Sequence, residues 1–228
     1  MSQNVRNAGA LAALSIALLL SNLSFADNSA SAFRGDGHAV IGIAAADAGL
    51  MDENGYSMIL NTELKNSGTP KDLVIGLSFE TSLFTKTVVR SKGGKESKAI
   101  ADAMIEMYVT VDGVMAEPGS IVFDRRKQEL WASLSGIMDC WDQNDDGIIS
   151  FDECDITEEE IGLILDTTAA HSFNFLAYDI GSGSHVIQAY AKLSHNGDVV
   201  TADSNSTASA SLGKGTLSVW EVHGSVNN

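Results

Sequence analysis

The chain has 228 residues, of which 44% are apolar, enough for one domain with a real core. Its 30 acidic against 14 basic residues give a net charge of −16. That charge repels phosphate backbones and anionic membranes and so excludes nucleic acid as a natural partner. Proline is scarce and no long low-complexity tract is present, which argues against wholesale disorder.

The first predicted element is an address. Arg6 is the only charge before Asp27, and an apolar run from Ala8 to Leu20 lies between them. Ser21-Asn22-Leu23-Ser24-Phe25-Ala26 follows, with small residues at Ser24 and Ala26 where signal peptidase requires them. Residues 1–26 therefore read as a secretory signal cut after Ala26. A second candidate cut follows Ala30-Ser31-Ala32, before Phe33. The alternative, a membrane anchor, is opposed by the shortness of the run against the ~20 residues of a span. No later run is long enough to cross a bilayer as a helix. The expected destination is the periplasm or the outside. Cleavage removes one Arg and no acid, leaving 30 acidic against 13 basic residues, a net charge of −17.

Short strand-like runs then follow at roughly even spacing. They are residues 38–44, 56–64, 73–79, 82–89, 104–111 and 121–123, and later 173–178, 185–193 and 216–222. Asp112-Gly113, Glu117-Pro118-Gly119, Gly181-Ser182-Gly183 and Asn196-Gly197-Asp198 carry turn chemistry between runs. This pattern predicts a mainly β domain over 27–228, an antiparallel sandwich of the jelly-roll or immunoglobulin-like kind. The alternative is a more open α+β fold.

One segment breaks the rhythm. Leu130, Leu134, Ile137 and Trp141 have helical spacing, whereas Leu130, Ala132 and Leu134 alternate like a strand, and the two periods compete. Thr157-Glu158-Glu159-Glu160 reads as a capping box, followed by the stripe Ile161, Ile164 and Leu165. A short helix is expected there, ending near Thr168. Residues 138–169 thus read as a loop and helix inserted into the β domain.

The stretch Asp142-Gln143-Asn144-Asp145-Asp146-Gly147-Ile148-Ile149-Ser150-Phe151-Asp152-Glu153 resembles the EF-hand calcium loop at all twelve positions. The resemblance implies one Ca²⁺ held by Asp142, Asn144 and Asp146, the Ile148 carbonyl, Ser150 and Glu153. Calcium takes six to eight oxygens at about 2.3–2.6 Å. Gly147 permits the sharp bend, and Glu153 can close the site with both carboxylate oxygens. Asp145 and Asp152 are expected to point outward. Two departures stand out. The flanking helices of the family are displaced or uncertain here, and there is a single loop where the family pairs two.

Cys140 and Cys154 bracket this loop, and an even count in an exported chain implies one disulfide. Ligation draws the loop ends together, so a bridge at a Cα spacing of about 5–6 Å is feasible. It would hold the loop closed and lower the ordering entropy of binding. The expectation is a structural, extracellular-type site with a dissociation constant on the order of 10⁻⁴–10⁻³ M.

Other candidates carry less. The histidines His38, His171, His185, His195 and His223 are scattered and show no metal spacing. Ser182 and Ser184 lack a nucleophile-elbow pattern, and Lys92-Gly93-Gly94-Lys95 has the wrong spacing for a phosphate loop. It reads as a hairpin tip or an exposed loop. Trp131, Trp141 and Trp220 fit core packing, loop anchoring or a sugar-stacking platform. The runs at 72–75, 83–85, 91–95 and 172–175 resemble a group of uncharacterised secreted bacterial β-rich proteins and imply no activity. The chain is read as a calcium-binding exported protein and not an enzyme. The alternatives are an adhesion or carbohydrate-binding module with structural calcium, whose partner is a protein or glycan, and a hydrolase without a recognisable motif.

Overall fold

A computed structural model describes residues 29–34, 52–66, 70–91, 94–199 and 204–222. The predicted signal segment, the strand at 38–44, His38 and His223 lie outside them. Among the described residues the chain is antiparallel β-structure with no α-helix. The strands are β1 (Ser29–Arg34), β2 (Ser57–Asn66), β3 (Lys71–Ser91), β4 (Glu96–Val111), β5 (Val114–Met115) and β6 (Ile121–Ser133). They continue with β7 (Met138–Cys140), β8 (Cys154–Ile156), β9 (Glu159–Ile180), β10 (Gly183–Val199) and β11 (Ser204–Val222).

Two sheets make a sandwich. One runs β1-β11-β3-β9. The other runs β2-β10-β4, with β6 along most of β4 and β5 at its end. β3 and β11 pack against β4 and β10 across the interior. The period-2 pattern dictates this. On β3, Leu73, Ile75, Leu77 and Phe79 are almost wholly excluded from water, while Val74, Gly76, Ser78 and Glu80 between them are half-buried. Ile105, Met107, Ile187, Leu217 and Val219 complete the same apolar half of the core.

The other half tapers. Ser97, Ala99, Ala101 and Ala103 of β4 are small and buried, and they face the part of the sandwich where β3 presents Thr81, Thr85 and Thr87. A β-bulge where the β4–β6 register shifts between Ile105 and Glu106 turns Asp124 and Gln128 of β6 toward those threonines. Thr81 donates to Asp124 at 2.6 Å, and Arg126 donates to the Leu83 carbonyl at 2.9 Å. This polar end of the sandwich is where β6 stops and β9 begins.

The predicted sandwich is present, and three local expectations are corrected. The expected helix after Thr157 is absent, because residues 159–180 form β9, which pairs with β3 from Ser91↔Glu159 to Lys71↔Ile180. Twenty-odd ladder residues outweigh one capping signal worth about 1 kcal/mol. The capping-box side chains serve the ladder and its start instead. Thr157 bonds Ile137, Glu159 accepts from the Gly136 amide, and Glu160 pairs with Arg90. The inserted segment is correspondingly shorter, with no α-helix in it. Between the competing periods after residue 125, the strand wins as far as Ser133. Asn196-Gly197-Asp198 lies inside β10 and is not a turn. A Cβ at Gly197 would sit 3.0 Å from the Ser206 carbonyl oxygen, so glycine is there for close approach of backbones. The two runs at 73–79 and 82–89 are one continuous strand. β3 and β4 lie in different sheets, which agrees with the exposed-loop reading of Lys92-Gly93-Gly94-Lys95 and not with a hairpin tip; Lys92 and Gly93 lie outside the described residues.

Candidate functional site

The link from β6 to β9 projects from the polar end as a finger. β7 and β8 pair antiparallel, Met138↔Ile156, Asp139↔Asp155 and Cys140↔Cys154. Cys140 and Cys154 are joined by a disulfide, as expected. Their Cα atoms are 4.1 Å apart, closer than foreseen, because the two residues face each other directly across the ladder. The base of the finger is fastened by Thr157. Its amide and hydroxyl both donate to the Ile137 carbonyl, and its hydroxyl accepts the Ile137 amide. Gly136 has φ +79°, and a Cβ there would stand 2.4 Å from Ile156 Cγ2, so only glycine lets the finger fold down at this point.

The disulfide closes a ring around residues 141–153. Within it, the Asp146 amide donates both to Asp142 Oδ1 at 3.1 Å and to Asn144 Oδ1 at 2.9 Å. Two side-chain oxygens from the first and third positions therefore meet at one N–H. Asp142 Oδ2 accepts from Gly147 at 2.7 Å, and Asp146 Oδ1 accepts from Ile148 at 2.8 Å. Gly147 adopts φ +79° and Asp145 φ +62°, which turn the chain sharply between these side chains. Asp145 and Asp152 are exposed.

Glu153 ends the loop in a single 3₁₀ turn, Phe151–Glu153. It is 4% exposed, the one buried charge of the finger. Its Oε1 accepts the amides of Gln143 (3.1 Å) and Asn144 (3.3 Å), and its Oε2 accepts the Ser150 amide (2.8 Å) and hydroxyl (3.0 Å). The Ser150 amide above all, helped by the Ser150 hydroxyl and the Gln143 and Asn144 amides, holds this carboxyl below its usual range against an opposing desolvation effect. The twelfth loop position is thereby drawn back to the second and third.

Six residues singled out by the motif thus share one small loop, and the side-chain oxygens of Asp142, Asn144, Asp146 and Glu153 accept from its amides. Among the described residues, no three His, Cys, Asp or Glu side chains form a group that could hold a metal ion. The carboxylates of Asp142, Asp146 and Glu153 are each turned to backbone N–H groups. A carboxylate oxygen that accepts one or two such bonds still has lone-pair capacity, so the donor set remains suited to a hard cation.

Two features escape a linear reading. Asp112 in the β4–β5 turn and His185 on β10 lie 2.7 Å apart, although 73 residues separate them. His185 Nε2 faces the Gly181 carbonyl at 3.0 Å. Both ring nitrogens meet acceptors, which suits the imidazolium. Asp112 chiefly pushes the His185 pKa up, and His185 chiefly holds Asp112 down. The pair borders a cleft of about 380 Å³ that also includes Glu117, Tyr178 and Asp179. The second feature is aromatic. Trp131, Trp141 and Trp220 are 64%, 47% and 46% exposed, so none serves the core. Turn chemistry at Asp112-Gly113 and Gly181-Ser182-Gly183 marked the surroundings of the first feature without pairing Asp112 with His185, and nothing in the sequence paired Trp220 with a neighbour.

Compared with known proteins, the chain matches no family model and no curated sequence.

Proposed function

We propose that the loop from Asp142 to Glu153 binds one calcium ion, with Asp142, Asn144, Asp146, Ser150 and Glu153 as side-chain ligands and Ile148 as the backbone ligand. The observation that carries this reading is Glu153. A buried carboxylate at the last motif position, reaching across to the start of the loop, is what a closing bidentate ligand needs. The disulfide supports a structural role, since it limits how far the loop can open and reduces the order lost on binding. An exported chain, periplasmic or secreted, fits the signal-like segment and the disulfide together. The ion would rigidify the finger and hold its exposed side chains in one arrangement.

Calorimetric calcium titration beside a Glu153→Gln variant tests this. Saturable one-site binding, with a dissociation constant on the order of 10⁻⁴–10⁻³ M, is expected for the native chain and not for the variant. No heat and no shift in melting at several times that concentration would reduce the loop to an acidic turn.

A further inference from the structure

The sheet β1-β11-β3-β9 has an outer face that the calcium reading does not use. On β11, Leu217 and Val219 are fully buried, so Thr216, Ser218 and Trp220 point outward. Strand register places their neighbours. Trp220 stands level with Ser29, Val74 and Leu176. Ser218 stands level with Ser31, Gly76 and Asn174, and Thr216 with Phe33, Ser78 and Ser172. No side chain in these three rows is charged, in a chain of net charge −16.

The two aromatic rings sit at opposite ends of the strip. Trp220 lies down across Gly76. A Cβ there would be 3.1 Å from Trp220 Cζ3 and 3.3 Å from Asn174 Oδ1, so the missing side chain is what lets the indole lie against the sheet. Phe33, 79% exposed, borders a cleft of about 370 Å³. A register shift between Leu212 and Gly215 interrupts the ladder there. Glu80, Ala170, His171 and Lys214 also line this cleft, and Glu80 Oε2 accepts a long 3.4 Å bond from the Lys214 amide. From Thr216 to Trp220 the strand advances about 14 Å at 3.4 Å per residue.

From this arrangement we infer that the outer face binds a neutral oligosaccharide, stacked on Trp220 and Phe33. Rings with apolar faces and hydroxyl rims match aromatic surfaces separated by Ser, Thr and Asn. A purely apolar partner would leave those hydroxyls and the Asn174 amide without bonds, which is unfavourable. An anionic partner would meet the field of the whole acidic chain, whereas an uncharged one meets an uncharged strip. The strip is longer than one sugar ring, so a short linear chain fits better than a monosaccharide. The Glu80 carboxylate can accept two neighbouring hydroxyls, and the Lys214 ammonium can donate to a third oxygen.

The test is calorimetric titration with cellohexaose, chitohexaose, xylohexaose and mannohexaose, and with an alginate hexasaccharide as the anionic probe. Each is run in calcium and in EDTA. At least one neutral probe should bind, equally in both media, and Trp220→Ala and Phe33→Ala should each weaken it about tenfold or more. Both side chains are exposed, and unchanged melting would confirm that the variants fold. Three results would overturn the inference: no neutral probe binds at millimolar concentration, only alginate binds, or binding survives both substitutions. Loss of binding in EDTA alone would place the sugar at the finger and overturn it too. Failure of the calcium reading leaves the EDTA arm unaffected, so the two readings fail separately.

Discussion

Thr85 on β3 donates a hydrogen bond to Gln128 Oε1 on β6 at 2.8 Å, across the space between the two sheets. The Gln128 amide nitrogen in turn donates to the Thr87 hydroxyl and to the Leu163 carbonyl. One buried side chain therefore joins three strands at the end of the sandwich that carries the finger.

Gln128→Ala should lower stability by about 2–3 kcal/mol, because it leaves a cavity and strips partners from Thr87 and Leu163. Gln128→Glu keeps the shape but removes both amide donors, so it should also destabilise. Urea unfolding of both variants measures this. If Gln128→Ala stays within 0.5 kcal/mol, a typical change for a neutral surface substitution, the bridge contributes nothing.

The Asp112–His185 pair predicts a pH dependence with a definite sign. His185 has a raised pKa, so its contribution is complete below its unfolded value and fades as pH rises through the folded one. Asp112 has a lowered pKa, so its contribution is complete above its unfolded value and fades as pH falls through the folded one. The pair is fully effective between about pH 4 and 6.5. Asp112 is half-exposed, so solvent screening limits the effect to about 0.5–1 kcal/mol. Glu117 and Asp179 border the same cleft. Native melting temperature should fall relative to His185→Gln as pH rises above neutrality. Parallel curves would dismiss the pair as a contributor.

Replacing both Cys140 and Cys154 by Ser should loosen the finger and spare the sandwich. Closing a loop of this size is worth about 3 kcal/mol by chain entropy. The finger touches the β-core mainly through the Gly136–Thr157 base. Limited proteolysis should therefore cut the variant between residues 138 and 156 and leave the rest intact. An identical digestion pattern for native protein and variant would contradict this.

The proposed export signal should be cut before Asp27. β1 begins at Ser29 and pairs with β11 from Ser29↔Trp220 to Arg34↔Gly215. A cut after Ala32 would delete most of that strand and uncover β11 beside Trp220. Intact-mass measurement on exported protein distinguishes the two sites directly.

Much of the sandwich was legible because alternation is a local property. Met104 to Val111 and Thr216 to Val222 alternate without reference to anything else, and Ile105, Met107, Val109, Val111, Leu217 and Val219 are buried as that alternation predicts. The Asp112-Gly113 turn was equally readable, since φ values of +51° and +82° need those residue types. The stretch after Thr157 was not. Its capping box and apolar stripe are local signals for a helix, and pairing with β3 outweighs them. Asn196-Gly197-Asp198 misled in the same way, because a glycine required by Ser206 on another strand looks identical to one required by a turn.

The sequence by itself determined the alternation that makes a β-sandwich, the two cysteines that can bridge, and the spacing of oxygens from Asp142 to Glu153. These depend on residue type and short separation, which the chain carries wherever it goes. Only the tertiary structure decided that β9 is a strand, that Asp112 meets His185, that Gln128 spans the sheets, and that Phe33 shares a face with Trp220. Each of those depends on which strands lie side by side and in what register. Register is fixed by burying the whole apolar set at once, so no short segment contains it.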